Sequence, residues 1–211
     1  MRRMTILLAD DHTVIWEGLR KMLEPEFEVI ACVKDGHALV KTAVELTPDL
    51  ILVDVGMPLL NGLDAARELK KRMPDLKVIF LTMNPDANLA REALKIGASG
   101  YLLKYSEGEE LLKAVHEAFR GVCYVTPQIR QAMEDDSIPD PKSLPKDLSD
   151  RQREVLQMLA EGRSLQEIGD ILHLSRHTVR FHKRRIMKEL GTKTDAELVQ
   201  YAVKHSIVSS M

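Results

Sequence analysis

The sequence predicts a doubly wound α/β domain on a five-stranded parallel sheet, followed by a small all-helical domain. Three observations carry this. Five short apolar runs alternate with amphipathic stretches from Met4 to about Arg120. A proline-bearing stretch, Thr126 to Leu148, then breaks the pattern. After it come closely spaced helix start and stop signals to the end of the chain.

The expected strands are Ile6–Ala9, Phe27–Ile30, Leu50–Val53, Val78–Leu81 and Tyr101–Leu103. Several are almost continuously apolar, as strands covered on both faces must be. Amphipathic stretches such as Gly62–Met73 and Asp86–Ile96 supply the covering helices. Leu111, Leu112, Val115 and Phe119 mark the inner face of a further one. Within the break lie Pro127, Pro139, Pro141 and Pro145 and the acidic run Glu134-Asp135-Asp136. Its first part suits a helix, and Ser137–Lys146 suits an extended linker.

Beyond the break four short helices are expected. Ser149 with Gln152, Ser164 with Glu167, and Thr194 with Glu197 fit capping boxes, in which a hydroxyl and a side chain three residues later satisfy free amides. Ser175 can cap another start, and Gly162 and Gly191 stand where helices should stop. The resulting division is residues 1–125, a linker 126–147, and residues 148–211.

Charge divides the same way. The net charge is −2, but 17 basic residues face 22 acidic ones up to residue 138, giving −5, and 13 face 10 afterwards, giving +3. Between Ile171 and Lys193 the ratio is seven to one. Different partners for the two halves follow. No apolar run reaches the roughly 18 residues that cross a bilayer. Cys32 and Cys123 are far apart without metal spacing, which reads as reduced thiols in a cytoplasmic protein.

In a parallel sheet of this kind, ligands gather beyond the carboxyl ends of the strands. Asp10 and Asp11 follow the first strand, Asp54 ends the third, Thr82 follows the fourth and Lys104 the fifth. Close carboxylates repel one another unless a cation intervenes or one is protonated. All-oxygen donors favour Mg²⁺ over zinc or copper. A metal beside a carboxylate, with a hydroxyl and an ammonium nearby, is also what phosphoryl transfer requires, so Asp54 is the candidate nucleophile.

Ser164 to Leu190 reads as helix, tight turn, helix. Val179, Ile186 and Leu190 share one face of the second helix, while Arg176, Arg180 and Arg184 recur every four residues on another. Lys183, Arg185 and Lys188 flank them. Like charges stacked at this spacing destabilise an isolated helix and call for an anionic partner. A polyanion of duplex form suits it, since a helix fits the major groove.

Residues 4 to about 120 resemble the receiver domain of bacterial response regulators. The matching stretches are Leu8-Ala9-Asp10-Asp11-His12, Leu52 to Pro58, Leu81-Thr82-Met83 and Gly100 to Lys104. The resemblance implies that Asp54 accepts phosphate from a sensor histidine kinase. It also implies that Asp11, Asp54 and the Gly56 carbonyl hold Mg²⁺, with Asp10 acting through water. Thr82 and Tyr101 would form a switch pair; an ordinary edge-strand aromatic is the other reading of Tyr101. Trp16 and Gly56 depart from the usual pattern. Trp16 reads equally as a partner-facing anchor or a partly buried helix residue.

Residues 148 to about 205 resemble the LuxR-type DNA-binding domain, through Leu148 to Leu156, Thr178 to His182 and Ile186 to Gly191. This implies that Arg180, Phe181 and Arg184 face bases of double-stranded DNA and that Arg176, Thr178 and Lys188 lie near its backbone, with Ser175 beside them. Phe181 is bulkier than usual, and Leu165-Gln166 and Thr192–Asp195 also depart from the pattern. His182 reads as a packed histidine. Together the two halves resemble a NarL/FixJ-type response regulator, a switch rather than a metabolic enzyme.

Such a chain would be monomeric or masked until phosphorylated, then released or joined as a homodimer on two half-sites. Leu198, Val199, Ala202 and Val203 suit a dimer seam and a core equally well. Three rivals stand beside this reading: a Mg²⁺-dependent phosphohydrolase using Asp54, a DNA-binding protein indifferent to phosphate, and an RNA target, which the scarcity of aromatics on the basic helix disfavours.

Overall fold

The computed structural model describes residues 2–83, 85–134 and 148–208; the linker expected over 137–146 lies outside them. Two compact units are present. The first runs β1 (Thr5–Ala9), α1 (Thr13–Leu23), β2 (Glu28–Val33), α2 (Gly36–Leu46), β3 (Leu50–Asp54), α3 (Gly62–Arg72), β4 (Lys77–Thr82), α4 (Ala87–Ile96), β5 (Gly100–Leu103), α5 (Gly108–Phe119), β6 (Tyr124–Val125) and α6 (Pro127–Glu134). The second contains α7 (Asp150–Ala160), α8 (Leu165–Leu172), α9 (Arg176–Leu190) and α10 (Asp195–Lys204).

The sheet has six parallel strands rather than the five expected, in the order β2-β1-β3-β4-β5-β6. The addition, β6, is two residues long. The Tyr124 amide donates to the Ser99 carbonyl at 3.2 Å and the Thr126 amide to the Tyr101 carbonyl at 3.1 Å. A pairing this short needs no apolar run and leaves no periodic trace in the sequence. Only the adjacent edge of β5 creates it.

Side chains alternate across the sheet. Ile6, Leu8, Leu50, Leu52, Ile79, Leu81 and Leu102 pack against Leu23 of α1 and Leu111, Ala114, Val115 and Ala118 of α5. The intervening residues, such as Leu7, Ile51, Val53, Val78 and Phe80, are fully buried on the opposite face, where α2, α3 and α4 pack in succession. Asp35, Asn61 and Asp86 cap α2, α3 and α4 by accepting backbone N–H groups. Arg67 ties α3 to α4 by pairing with Asp64 and Glu92. Arg91 of α4 donates to the Met133 carbonyl of α6 at 2.7 Å.

The second unit closes on one core, formed by Val155, Leu156, Met158, Ile168, Leu172, Val179, Ile186, Leu198 and Ala202. The boxes at Ser149/Gln152 and Ser164/Glu167 are complete. That at Thr194 is not: Thr194 accepts from the Glu197 amide, but Glu197 reaches one residue further back, to the Lys193 amide at 2.6 Å. Between α8 and α9 the chain turns through His173 at φ 54°, and the Leu174 amide returns to the Gly169 carbonyl at 2.8 Å. A Cβ on Gly169 would lie 2.7 Å from the Leu174 carbonyl oxygen, so this closeness depends on glycine.

Gly62 has the same importance behind Asp54. A Cβ there would fall 2.1 Å from the Asp54 carbonyl oxygen, a backbone atom that cannot swing away. Gly62→Ala should therefore destabilise the first unit by about 1–3 kcal/mol or more. Trp16 is the chain's one tryptophan and packs against the α1/α5 core, so its fluorescence during urea unfolding reports on this unit. An unchanged midpoint would show that the loop tolerates the methyl group.

Candidate functional site

The strand register brings the acidic residues together. Ala9 pairs with Val53, Asp54 with Leu81, and Thr82 with Leu103, so Asp10, Asp54, Thr82 and Lys104 all emerge at one edge. The Lys104 amide donates to the Thr82 carbonyl at 2.8 Å, which fixes the start of the β5–α5 loop.

Lys104 has a side chain only 2% exposed, and its Nζ lies 2.8 Å from both Asp10 Oδ2 and Asp54 Oδ2. The other oxygens also have partners. Asp10 Oδ1 accepts the His12 amide at 2.9 Å, and Asp54 Oδ1 accepts the Gly56 amide at 3.1 Å. Burial pushes the Asp54 carboxyl above its ordinary value. Lys104 and the Gly56 amide oppose that rise and Asp10 adds to it. Asp11 is exposed at the rim, with Oδ1 2.8 Å from His12 Nδ1.

Ligand atoms of Asp10, Asp11, His12 and Asp54 lie within 4.8 Å of one another. Three carboxylates against one ammonium leave the site short of positive charge. Its solvent-facing side is rich in oxygen, and these groups could hold a hard divalent cation. Thr82 is buried at the same edge. Gly56 is exposed on the loop following Asp54. His12 was not among the expected site residues; its signal was the unbroken Asp-Asp-His run directly after a strand.

Tyr101 is fully buried, its ring 6.3 Å from that of Phe80, centroid to centroid. Burial raises its phenol, while a hydrogen bond with Thr82 opposes the rise. The ring therefore lies inward, beside Phe80.

On α9, Arg176, Arg180, Arg184 and Lys188 line one exposed stripe, with no acidic partner among the described residues. Lys183 and Arg185, expected to join them, are instead neutralised by Asp195 at 2.6 Å and Glu189 at 3.1 Å. Ser175 caps the helix through the Thr178 amide, and the two hydroxyls lie 2.8 Å apart. Phe181 stands exposed beside the stripe. His182 is half-buried; desolvation, then Arg151 and Arg185, lower its pKa.

A carboxylate–lysine site at the carboxyl edge of a parallel sheet, joined in one chain to a basic helix-turn-helix unit, defines a two-part regulator. Comparison with known proteins agrees. Residues 6–116 match the response regulator receiver domain, and residues 146–202 match the bacterial regulatory proteins of the luxR family. The transcriptional regulatory protein DegU of Brevibacillus brevis is 33% identical over 98% of this chain and 95% of its own. Response regulator GacA of Pseudomonas aeruginosa is 34% identical over 97% and 98%. RcsB of Salmonella enterica serovar Typhimurium, solved on promoter P1flhDC with the phosphomimetic BeF3⁻, matches with a TM-score of 0.62 at 28% identity over 96% of this chain and all of its own. The chain belongs to the NarL/FixJ-type two-component response regulators, transcriptional regulators that join a receiver domain to a LuxR-type DNA-binding domain.

The Asp54 environment fixes a pH response. The folded state holds this proton more tightly than the unfolded chain does. The group therefore contributes stability below the unfolded value of about 4, and loses it as pH rises through the folded value. Without divalent metal, Asp54→Asn should be more stable than the parent at pH 7, and the difference should shrink as pH falls below about 4. Urea midpoints read by Trp16 fluorescence measure this, and a less stable variant at pH 7 would refute the assignment.

Proposed function

We propose that Asp54 accepts a phosphoryl group from the phosphohistidine of a sensor kinase and that α9 converts the signal into sequence-specific binding of double-stranded DNA. The observation that carries the proposal is Lys104 held 2.8 Å from two buried carboxylates of different strands. In the transfer, an Asp54 carboxylate oxygen attacks phosphorus and the P–N bond to the donor imidazole breaks.

Bound Mg²⁺ would neutralise phosphoryl oxygens during this step, with Asp11, Asp54 and the Gly56 carbonyl as ligands and Asp10 acting through water. Lys104 releases part of its hold on Asp54 and turns to the added charge. The Thr82 hydroxyl moves toward the phosphoryl group and binds another of its oxygens, and this movement, beside the inward ring of Tyr101, alters the β4–β5 face. Residues 1–125 act as the receiver, 126–147 as the connection and 148–211 as the output. The output then pairs as a homodimer on two half-sites. Arg180, Phe181 and Arg184 meet base edges, while Ser175, Arg176, Thr178 and Lys188 hold the backbone. The cytoplasm, where kinase and DNA are both within reach, is the proposed compartment. No helix among the described residues is long and apolar enough to cross a membrane.

Incubation with Mg²⁺ and acetyl phosphate should add one phosphate per chain, mapped to Asp54 and absent from Asp54→Asn. Continued turnover of many phosphomonoesters would instead make the protein a phosphohydrolase. On duplex DNA, Lys188→Ala should weaken binding for all sequences alike and reduce the salt dependence by about one phosphate contact. An unchanged salt slope would remove Lys188 from the backbone contacts.

A further inference from the structure

The output helix carries one feature that electrostatics leaves unexplained. Phe181 is 58% exposed and is the one large apolar side chain exposed on α9. It lies outside the core of its unit, and its ring contact is with neighbouring His182, edge-on at 6.0 Å. Arg180 precedes it, Arg184 and Arg185 follow one turn later, and His177 lies one turn before, all exposed. Six-membered apolar surface among cations gains nothing from phosphates, which meet the arginines. It gains the hydrophobic free energy of leaving water when it packs against another apolar group.

The surrounding charge selects a polyanion, and duplex DNA displays one apolar group in its major groove: the thymine C5 methyl. We propose that Phe181 is a specificity-determining residue that reads the thymine methyl, alone or as an adjacent pair, in each half-site. The inference rests on the DNA-binding reading of α9 and adds the chemistry of one contact. It predicts a binding site whose sequence preference divides in two. Arginine contacts choose guanine or phosphate. The phenyl ring chooses a methyl group irrespective of base-edge hydrogen bonding, so 5-methylcytosine should substitute for thymine at that step when paired with guanine.

The test uses the full chain with Mg²⁺ and acetyl phosphate. Randomised duplexes are selected on the parent protein, and each thymine in the recovered half-site is then replaced singly by deoxyuracil, which removes the methyl group and nothing else. Loss of roughly three- to fivefold in affinity is expected at one step or two adjacent steps per half-site. Restoring the methyl through 5-methylcytosine should restore affinity. Phe181→Ala should bind thymine and uracil duplexes equally while keeping the parent's far-ultraviolet circular dichroism and salt slope. Parent affinity unchanged by every uracil replacement would overturn the inference, and so would an equal loss in Phe181→Ala. Recovery of no sequence by the parent would overturn the DNA reading itself, and this inference with it. Because uracil is tested on the parent, the result does not depend on how the variant folds.

Discussion

Everything at the carboxyl edge of the sheet depends on one buried ammonium. Lys104 touches both Asp10 and Asp54, and all three side chains are almost closed to water. Two carboxylates brought this close would otherwise repel, and burial alone would favour their neutral forms. The lysine makes the charged arrangement tolerable, yet it cannot neutralise Asp11 as well. The site therefore keeps a deficit of positive charge at its acidic rim. A structure comfortable without ligand would have little reason to change when phosphate arrives; this one is built short of charge.

The same economy of pairing marks the second unit. Acidic partners silence Lys183 and Arg185, whereas four cations along one stripe of α9 have no acidic partner among the described residues. The helix is held in place by its opposite face, where Val179 and Ile186 enter the core, and by the glycine-dependent turn that seats it against α8. A rigid helix with unpaired charge on one side loses little conformational freedom when an anionic partner binds. Both halves thus use tertiary packing to hold unsatisfied charge where a ligand can reach it.

Much of this was legible in the chain itself. Four of the five principal strands lie within one residue of the apolar runs that announced them, because burial on both faces demands continuous hydrophobicity, whereas β2, only partly buried, runs three residues past its expected end. Asp10, Asp54, Thr82 and Lys104 were recognisable since each closes or follows such a run, and strand ends converge in a parallel sheet. Other features were not. The β6 strand left no pattern because two residues pair through backbone alone. The Thr194 box misled because its glutamate found the amide one position earlier. Nothing in the spacing of α9 foretold that Lys183 would pair with Asp195, twelve residues on.

The sequence by itself determined the order of the five principal strands, the complete capping boxes at Ser149 and Ser164, the division of charge between the halves and the set of side chains at the carboxyl edge. These follow from periodicity and from residue types, which act over a few neighbours. Only the tertiary structure decided which partners those side chains take. It set Lys104 between two carboxylates and turned Tyr101 inward beside Phe80. Distances of a few ångströms between residues tens of positions apart are fixed by strand register and packing, and no local rule encodes them.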